Sequence, residues 1–220
     1  MSNSFYPLAS STWDDAEYAA MQQVIKNGKF TMGEHVSNYE ENFAEYIGSK
    51  YAVMTNSGSS ANLLMIAGAK YAKDSPLKEG DAIIVPAVSW STTYYPIHQL
   101  GYELSFVDID IETLNLDCDV VEKSITDNTK CIFAVNLLGN PSNLNRLREI
   151  AKNHNLILFE DNCESLGSQI ENKFTGTFGT AGTFSSFFSH HISTMEGGIT
   201  VTNDTYLYEA MLSLRAHGWT

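Results

Sequence analysis

Residues 185–204 read SSFFSHHISTMEGGITVTND. Two adjacent histidines, His190 and His191, stand in this run, and residues 185–196 contain no lysine. An imidazole accepts and returns a proton near neutral pH. It cannot form the covalent imine that a primary amine forms with a carbonyl. The pair therefore offers proton transfer without covalent attachment, unless both are plain polar loop residues. Three other stretches carry groups that could act with them. TNSGSSAN (55–62) follows a strand-like run and opens a helix-like one. There Gly58 allows close backbone approach, while Ser59 and the free N–H groups of a helix start could cradle a phosphate. A tight turn capped by serine uses the same residue types. Asp161, in FEDNCES, ends an apolar run. It could cap a helix, serve as a buried structural partner, or hold a protonated heterocyclic nitrogen. Trp90, in VPAVSWSTT, could stack on a flat ring or fill the core.

These residues need elements to position them, and the hydrophobic periodicity supplies candidates. Helices are predicted over 14–28, with Thr12 and Asp15 at capping-box spacing, and over 36–49, ending at Gly48. Strands and helices then alternate. Strands are predicted at 50–56, 81–86, 103–110, 131–139 and 156–161, with helices at 59–72, 91–101 and 142–153. Pro96 fits the helix of 91–101 only near its first turn. A further pair of strands is read at 182–188 and 197–204, then a helix at 204–218. Alternation with wholly apolar strands predicts an α/β fold with a mostly parallel sheet covered on both faces. Ligands of such sheets bind at the carboxyl ends of strands. Those ends hold Gly58 and Ser59, Trp90, Asp161, and Ser185 through His191.

The bulk numbers are compatible with such a domain. The chain has 220 residues, 43% of them hydrophobic and 18% charged, which describes a packed globule. Its net charge of −13 argues against a nucleic-acid partner. No apolar run has the length of a membrane span. MSNSFYPLASSTWDD lacks the basic and apolar regions of a signal peptide. The three cysteines, Cys118, Cys131 and Cys163, are odd in number and lack metal-ligand spacing, so no metal is expected. They read as reduced packing residues of a cytoplasmic protein. The last residues, RAHGWT, follow the final helical run directly, and a longer protein is expected.

The order of these motifs carries a resemblance. An NSG turn, an aromatic after the next strand, an ED pair near residue 160, then a serine-bearing strand and a GG turn resemble the DegT/DnrJ/EryC1/StrS sugar aminotransferases. KFTMGEHVSNYEENFAEYIGSKYAVMTNSGSSAN resembles that family's N-terminal signature, and the likeness runs over essentially all 220 residues. It implies the large domain of the aspartate-aminotransferase-like fold (pyridoxal-phosphate fold type I), preceded by an N-terminal segment. A second, smaller C-terminal domain is expected to be absent from this chain. The implied cofactor is pyridoxal or pyridoxamine 5′-phosphate. Gly58, Ser59 and Ser185 would hold its phosphate, Trp90 would stack on its ring, and Asp161 would hold its ring nitrogen. Glu164, where the family usually has Gln, would meet the ring hydroxyl. The family's lysine, which bonds the cofactor covalently, is missing. His190 or His191 stands in its region, with His190 favoured by the HHI run. Family variants with histidine there are sugar 3-dehydratases. SHHISTMEGG thus implies removal of the C3 hydroxyl from a nucleotide-linked 4-keto-6-deoxyhexose, a GDP-linked 4-keto-6-deoxymannose by closest likeness. L-glutamate would be the amino donor, and the assembly a homodimer. An ordinary perosamine-synthase-like aminotransferase, a CDP-linked 3-dehydrase and a non-catalytic regulator are the alternatives.

Overall fold

The computed structural model describes residues 9–219. The first eight residues of the stretch read for its lack of a targeting signal lie outside the described residues. Helix α1 (Asp15–Asn27) starts one residue after Asp14, whose Oδ1 accepts from Ala16 N at 2.7 Å while Asp14 N donates to Glu17 Oε2 at 2.8 Å. The capping box is therefore Asp14/Glu17, not Thr12/Asp15, because Asp14 is the residue with extended backbone at the helix start. The elements that follow are α2 (Glu34–Ile47), β1 (Tyr51–Thr55), α3 (Gly58–Tyr71), β2 (Ala82–Pro86), α4 (Ser91–Gln99) and β3 (Glu103–Val107). After them come α5 (Cys118–Lys123), β4 (Thr129–Val135), α6 (Leu144–Asn153), β5 (Ile157–Asp161), β6 (Gln169–Ile170), β7 (Lys173–Phe174), β8 (Ala181–Ser185), β9 (Gly198–Thr202) and α7 (Thr205–Arg215).

Seven strands form one sheet in the order β1-β9-β8-β5-β4-β2-β3. The run from β8 to β3 is parallel, as the alternating pattern predicts. Strand β9 is antiparallel to both β8 and β1. The physical reason is the connection: residues 186–197 link β8 to β9 as a loop, with no crossover helix to carry the chain back. That loop contains both histidines. Strand residues alternate between two helical layers. Ile83, Val85, Phe133 and Phe159 pack with Met65 and Ile66 of α3, Ile97 of α4 and Met211 of α7. Ile84, Ile132, Ala134 and Leu158 pack with Leu144, Leu147 and Ile150 of α6. A third cluster sets Phe43 and Ile47 of α2 against Phe184, Ile199 and Val201. No helix among the described residues is long and apolar enough to cross a membrane.

Three expectations shift. The strand predicted at 131–139 stops at Val135, and residues Leu137–Gly139 form a 3₁₀ turn with Leu138 at φ 53°. Pro96 lies in the second turn of α4 rather than the first. The carbonyl that it leaves without an intrahelical donor, Thr92 O, faces Asn62 Nδ2 at 3.4 Å. The short α5 and the hairpin β6–β7 have no counterpart in the periodicity reading.

At the end of β5, Glu160 is fully buried on the α6 side of the sheet. Its carboxylate accepts from Gly176 N at 2.6 Å, Phe178 N at 2.7 Å and Gly179 N at 2.7 Å. Burial pushes its carboxyl above the ordinary range, against the pull of those three donors. The turn at 176–179 leads directly into β8, so this one side chain sets where β8 begins. Glu160→Ala is expected to leave three buried N–H groups without acceptors and to lower unfolding stability by at least about 3 kcal/mol. Urea unfolding of the variant and the wild type checks this, and a difference under about 1 kcal/mol would show that the turn holds without the carboxylate.

Candidate active site

Gly58, Ser59, Trp90, Asp161, Glu164, Ser185 and His190 line one cavity of about 500 Å³. It opens at the carboxyl ends of β1, β2, β5 and β8, which deliver these residues from four separate strands. The sheet topology thus gathers residues that lie up to 132 positions apart, from Gly58 to His190.

The turn after β1 does two jobs with different residues. Ser57 is the cap of α3, its Oγ accepting from Ser60 N at 3.0 Å. Gly58 and Ser59 occupy the first two helical positions, whose N–H groups have no intrahelical acceptor. Those two N–H groups and the positive end of a 14-residue helix make an anion cradle. Space, not backbone angle, requires glycine at position 58. A Cβ there would stand 2.7 Å from Cys163 Sγ and 2.7 Å from Ser185 Cβ. Behind the cradle, a Cβ on Gly198 would overlap the Ser57 carbonyl and stand 2.6 Å from Gly58 N. The first residue of β9 therefore backs directly onto the Ser57–Gly58 peptide.

Asp161 is 6% exposed. Its Oδ2 accepts from Asn62 Nδ2 at 2.9 Å and Thr93 Oγ1 at 2.9 Å, and its Oδ1 accepts from Cys163 N at 3.1 Å. It caps no helix among the described residues. Trp90, at the start of α4, is 71% exposed and lines the cavity, so the core-filling reading fails. Ser185 ends β8, and its Oγ accepts from Phe187 N at 3.3 Å. Glu164 accepts from Leu138 N at 2.8 Å through Oε2, tying the turn after β4 to the cavity wall. Cys163 also lines the cavity, and burial pushes its thiol well above the ordinary value, so it is a neutral packing group.

The structure separates the two histidines. His190 is half-buried and lines the cavity, whereas His191 is exposed and does not. Burial lowers the His190 pKa below its usual 6.5, and His191 lowers it further, while Glu164 and Asp161 pull the other way. The loop that carries it is closed at its base. Ser186 N donates to Gly197 O at 2.9 Å, Thr194 N donates to Ser186 O at 2.9 Å, and the two hydroxyls of Ser186 and Thr194 lie 2.7 Å apart. Trp13 Nε1 donates to Ser193 O at 3.1 Å, pinning the approach to α1 onto the same loop. Sequence reading missed Asn62, Thr93, Ser186 and Thr194. Asn62 closes the quoted TNSGSSAN motif, but nothing in its type or spacing marks it.

The DegT/DnrJ/EryC1/StrS aminotransferase family model matches residues 11–220. The chain belongs to the DegT/DnrJ/EryC1/StrS aminotransferase family. It is 60% identical to GDP-4-keto-6-deoxy-D-mannose 3-dehydratase of Escherichia coli O55:H7, over 98% of this chain and 55% of that protein. The enzyme of the same name from Yersinia pseudotuberculosis is 56% identical over the same shares. Among solved structures, the E. coli dehydratase with bound hydrated PLP superposes with a TM-score of 0.94 at 60% identity, covering 98% of this chain and 55% of that one. The chain spans about half the length of the curated relatives it matches. The DegT/DnrJ/EryC1/StrS fold, an aminotransferase-type α/β domain with a mostly parallel sheet, accounts for the architecture above.

Adding a methyl group at Gly198 tests the cradle. Gly198→Ala is expected to displace the Ser57–Gly58 peptide and weaken binding of a phosphate monoester by about tenfold or more, the loss of one well-placed anion contact. Titration calorimetry of the folded variant against the wild type measures it, and equal affinities would show that the cradle tolerates the shift.

Proposed function

We propose that this chain forms the cofactor-binding domain of a pyridoxamine-phosphate-dependent 3-dehydratase acting on a GDP-linked 4-keto-6-deoxyhexose, the 6-deoxymannose compound named for the two dehydratases above. One observation carries this reading. The cavity presents an imidazole, His190, and none of the chain's lysines is among its lining residues. The cofactor also fits the residues present. A Cβ-intolerant cradle at Gly58 suits a phosphate, Asp161 suits a ring nitrogen, and exposed Trp90 suits a ring face. Solved relatives add support. One is a His-to-Asn mutant of GDP-4-keto-6-deoxymannose-3-dehydratase with bound GDP-perosamine, and another holds a trapped PLP-glutamate geminal diamine. A GDP-perosamine synthase from E. coli O157:H7, by contrast, is 36% identical over 84% of this chain.

When bound, pyridoxamine phosphate supplies a primary amine for the C4 ketone of the sugar and a ring that takes up an electron pair. The chain's own residues do the rest. Gly58 and Ser59 N–H groups and the Ser185 hydroxyl would bind the phosphate. Trp90 would lie against the ring and Asp161 would accept its N–H. Glu164 would meet the ring hydroxyl. His190, in its neutral form, would remove the proton from the cofactor carbon that carries the amine nitrogen. It then gives that proton to the departing C3 hydroxyl, which leaves as water. No lysine lines the cavity, so no amine of the chain would compete for the carbonyl. Water would hydrolyse both carbon–nitrogen bonds, leaving ammonia, the 3-deoxy-4-keto sugar and the cofactor in its aldehyde form. L-glutamate is the amino donor for the next turnover. The protein works as a homodimer in the cytoplasm, in keeping with its three free cysteines.

Incubation of the protein with pyridoxamine phosphate, L-glutamate and the GDP-linked keto sugar is expected to release ammonia in step with the 3-deoxy product. Accumulation of a 4-amino sugar would overturn the reading. The pH dependence has a defined sign. His190 must be neutral to accept a proton, and its pKa lies below 6.5, so activity is lost only as pH falls through that lower value. The acid limb of kcat/KM is therefore expected below pH 6.5. Glu164→Gln removes the foremost neighbour that raises the His190 pKa and should move that limb further toward acid. A limb that stays in place or moves toward neutral would assign the titration to another group.

A further inference from the structure

The hydrogen bonds around Asp161 fix the position of every proton in a closed network. The amide of Asn62 faces two acceptors on one side, Asp161 Oδ2 and Thr92 O, so its NH₂ lies there and its Oδ1 accepts from the Thr183 hydroxyl at 2.6 Å. Its NH₂ then donates to Asp161 Oδ2 at 2.9 Å and reaches Thr92 O at 3.4 Å, the carbonyl released by Pro96. Thr93 spends its single hydroxyl proton on the same Oδ2, at 2.9 Å. The Ser89–Thr93 contact at 3.0 Å must consequently run from Ser89 to Thr93. Asn62, Thr93 and Thr183 are 1%, 0% and 0% exposed. Two elements, α3 and α4, thus converge on one oxygen, and β8 holds the Asn62 amide through Thr183.

Oδ2 faces two donors, one from α3 and one from α4. Oδ1, with one backbone donor, keeps lone-pair capacity for a further N–H. We propose that Asn62 and Thr93 are positioning residues that orient the Asp161 carboxylate through Oδ2, with Oδ1 left for the protonated ring nitrogen of the bound pyridine. They act through Asp161 and set how firmly the ring keeps its proton. This rests on the cofactor reading above.

The test uses holoprotein loaded with pyridoxamine phosphate and compares wild type, Thr93→Val, Thr93→Ser and Asn62→Ala. Valine keeps the shape of threonine and removes one donor, so it carries the test even where Asn62→Ala does not fold. In Thr93→Val, the pH at which the bound ring loses its proton, read from its near-ultraviolet absorbance, is expected to fall by about one unit, the worth of one hydrogen bond to a charged group. The kcat should fall about tenfold with KM nearly unchanged, and Thr93→Ser should restore both. A merely structural role would move stability and leave the absorbance titration in place. Wild-type titration and kcat in Thr93→Val would overturn the inference while leaving the cofactor reading intact. Wild-type protein that takes up no pyridoxamine phosphate would overturn that reading, and this inference with it.

Discussion

Two carboxylates stand side by side at the end of β5, Glu160 fully buried and Asp161 nearly so on the cavity wall. Enclosing an ionised carboxylate costs several kcal/mol unless donors replace its lost hydration. Alternation along the strand sends Glu160 and Asp161 to opposite faces of the sheet, so each must find donors in a different layer. Glu160 finds three backbone N–H groups in the turn at 176–179. Asp161 finds side chains of α3 and α4. Satisfying the first charge fixes where the chain enters β8, and satisfying the second ties two helix starts to the strand ends. The cradle at Gly58 begins α3, Trp90 begins α4, and Ser185 ends β8. The positions of these lining residues follow from the burial of one acidic dipeptide.

A cavity without an amine must hold its ligand by contacts alone, and the close packing around it serves that need. Gly198 lies so near the Ser57–Gly58 peptide that the antiparallel strand β9 becomes a backing plate for the anion cradle. The loop of residues 186–197, which leads into that strand, closes on itself through Ser186, Thr194 and Gly197. One structural departure, an antiparallel strand in a parallel sheet, therefore supports both the cradle and the histidine. The DegT/DnrJ/EryC1/StrS family includes aminotransferases as well as dehydratases on this scaffold. In the proposed reading, the imidazole of His190 stands in that loop where an aminotransferase would carry an amine.

Much of this was legible in the sequence because strand ends are legible. Apolar runs that stop at polar residues mark the carboxyl edge of a parallel sheet, and Gly58, Trp90, Asp161 and Ser185 all stand at such stops. The histidine pair could be seen but not resolved, since only the path of the loop puts His190 at the cavity and leaves His191 in solvent. Asn62, Thr93 and Thr183 gave no signal. They are ordinary polar residues, and their contacts span 99, 68 and 121 positions. Pro96 misled for a related reason. Its cost inside α4 is reduced by a side chain from α3, a compensation that no local pattern records. The short α5, with six residues, and the two-residue strands β6 and β7 are too brief for any periodicity to develop.

The electrostatics of His190 complete the proposed chemistry. Burial is the largest influence on its imidazole and favours the neutral ring, the form that can accept a proton. Glu164 and Asp161 oppose burial, because each attracts the cationic form. Before proton transfer, then, the site favours a base, and once the proton is on the ring the two carboxylates steady it. A base that is too easily protonated would sit idle as a cation, and one that is too strongly desolvated could not hold the proton long enough to deliver it to a leaving hydroxyl. In the proposed chemistry an amide at position 164 would remove the foremost of those opposing charges, which gives the acid there a part in balancing the histidine.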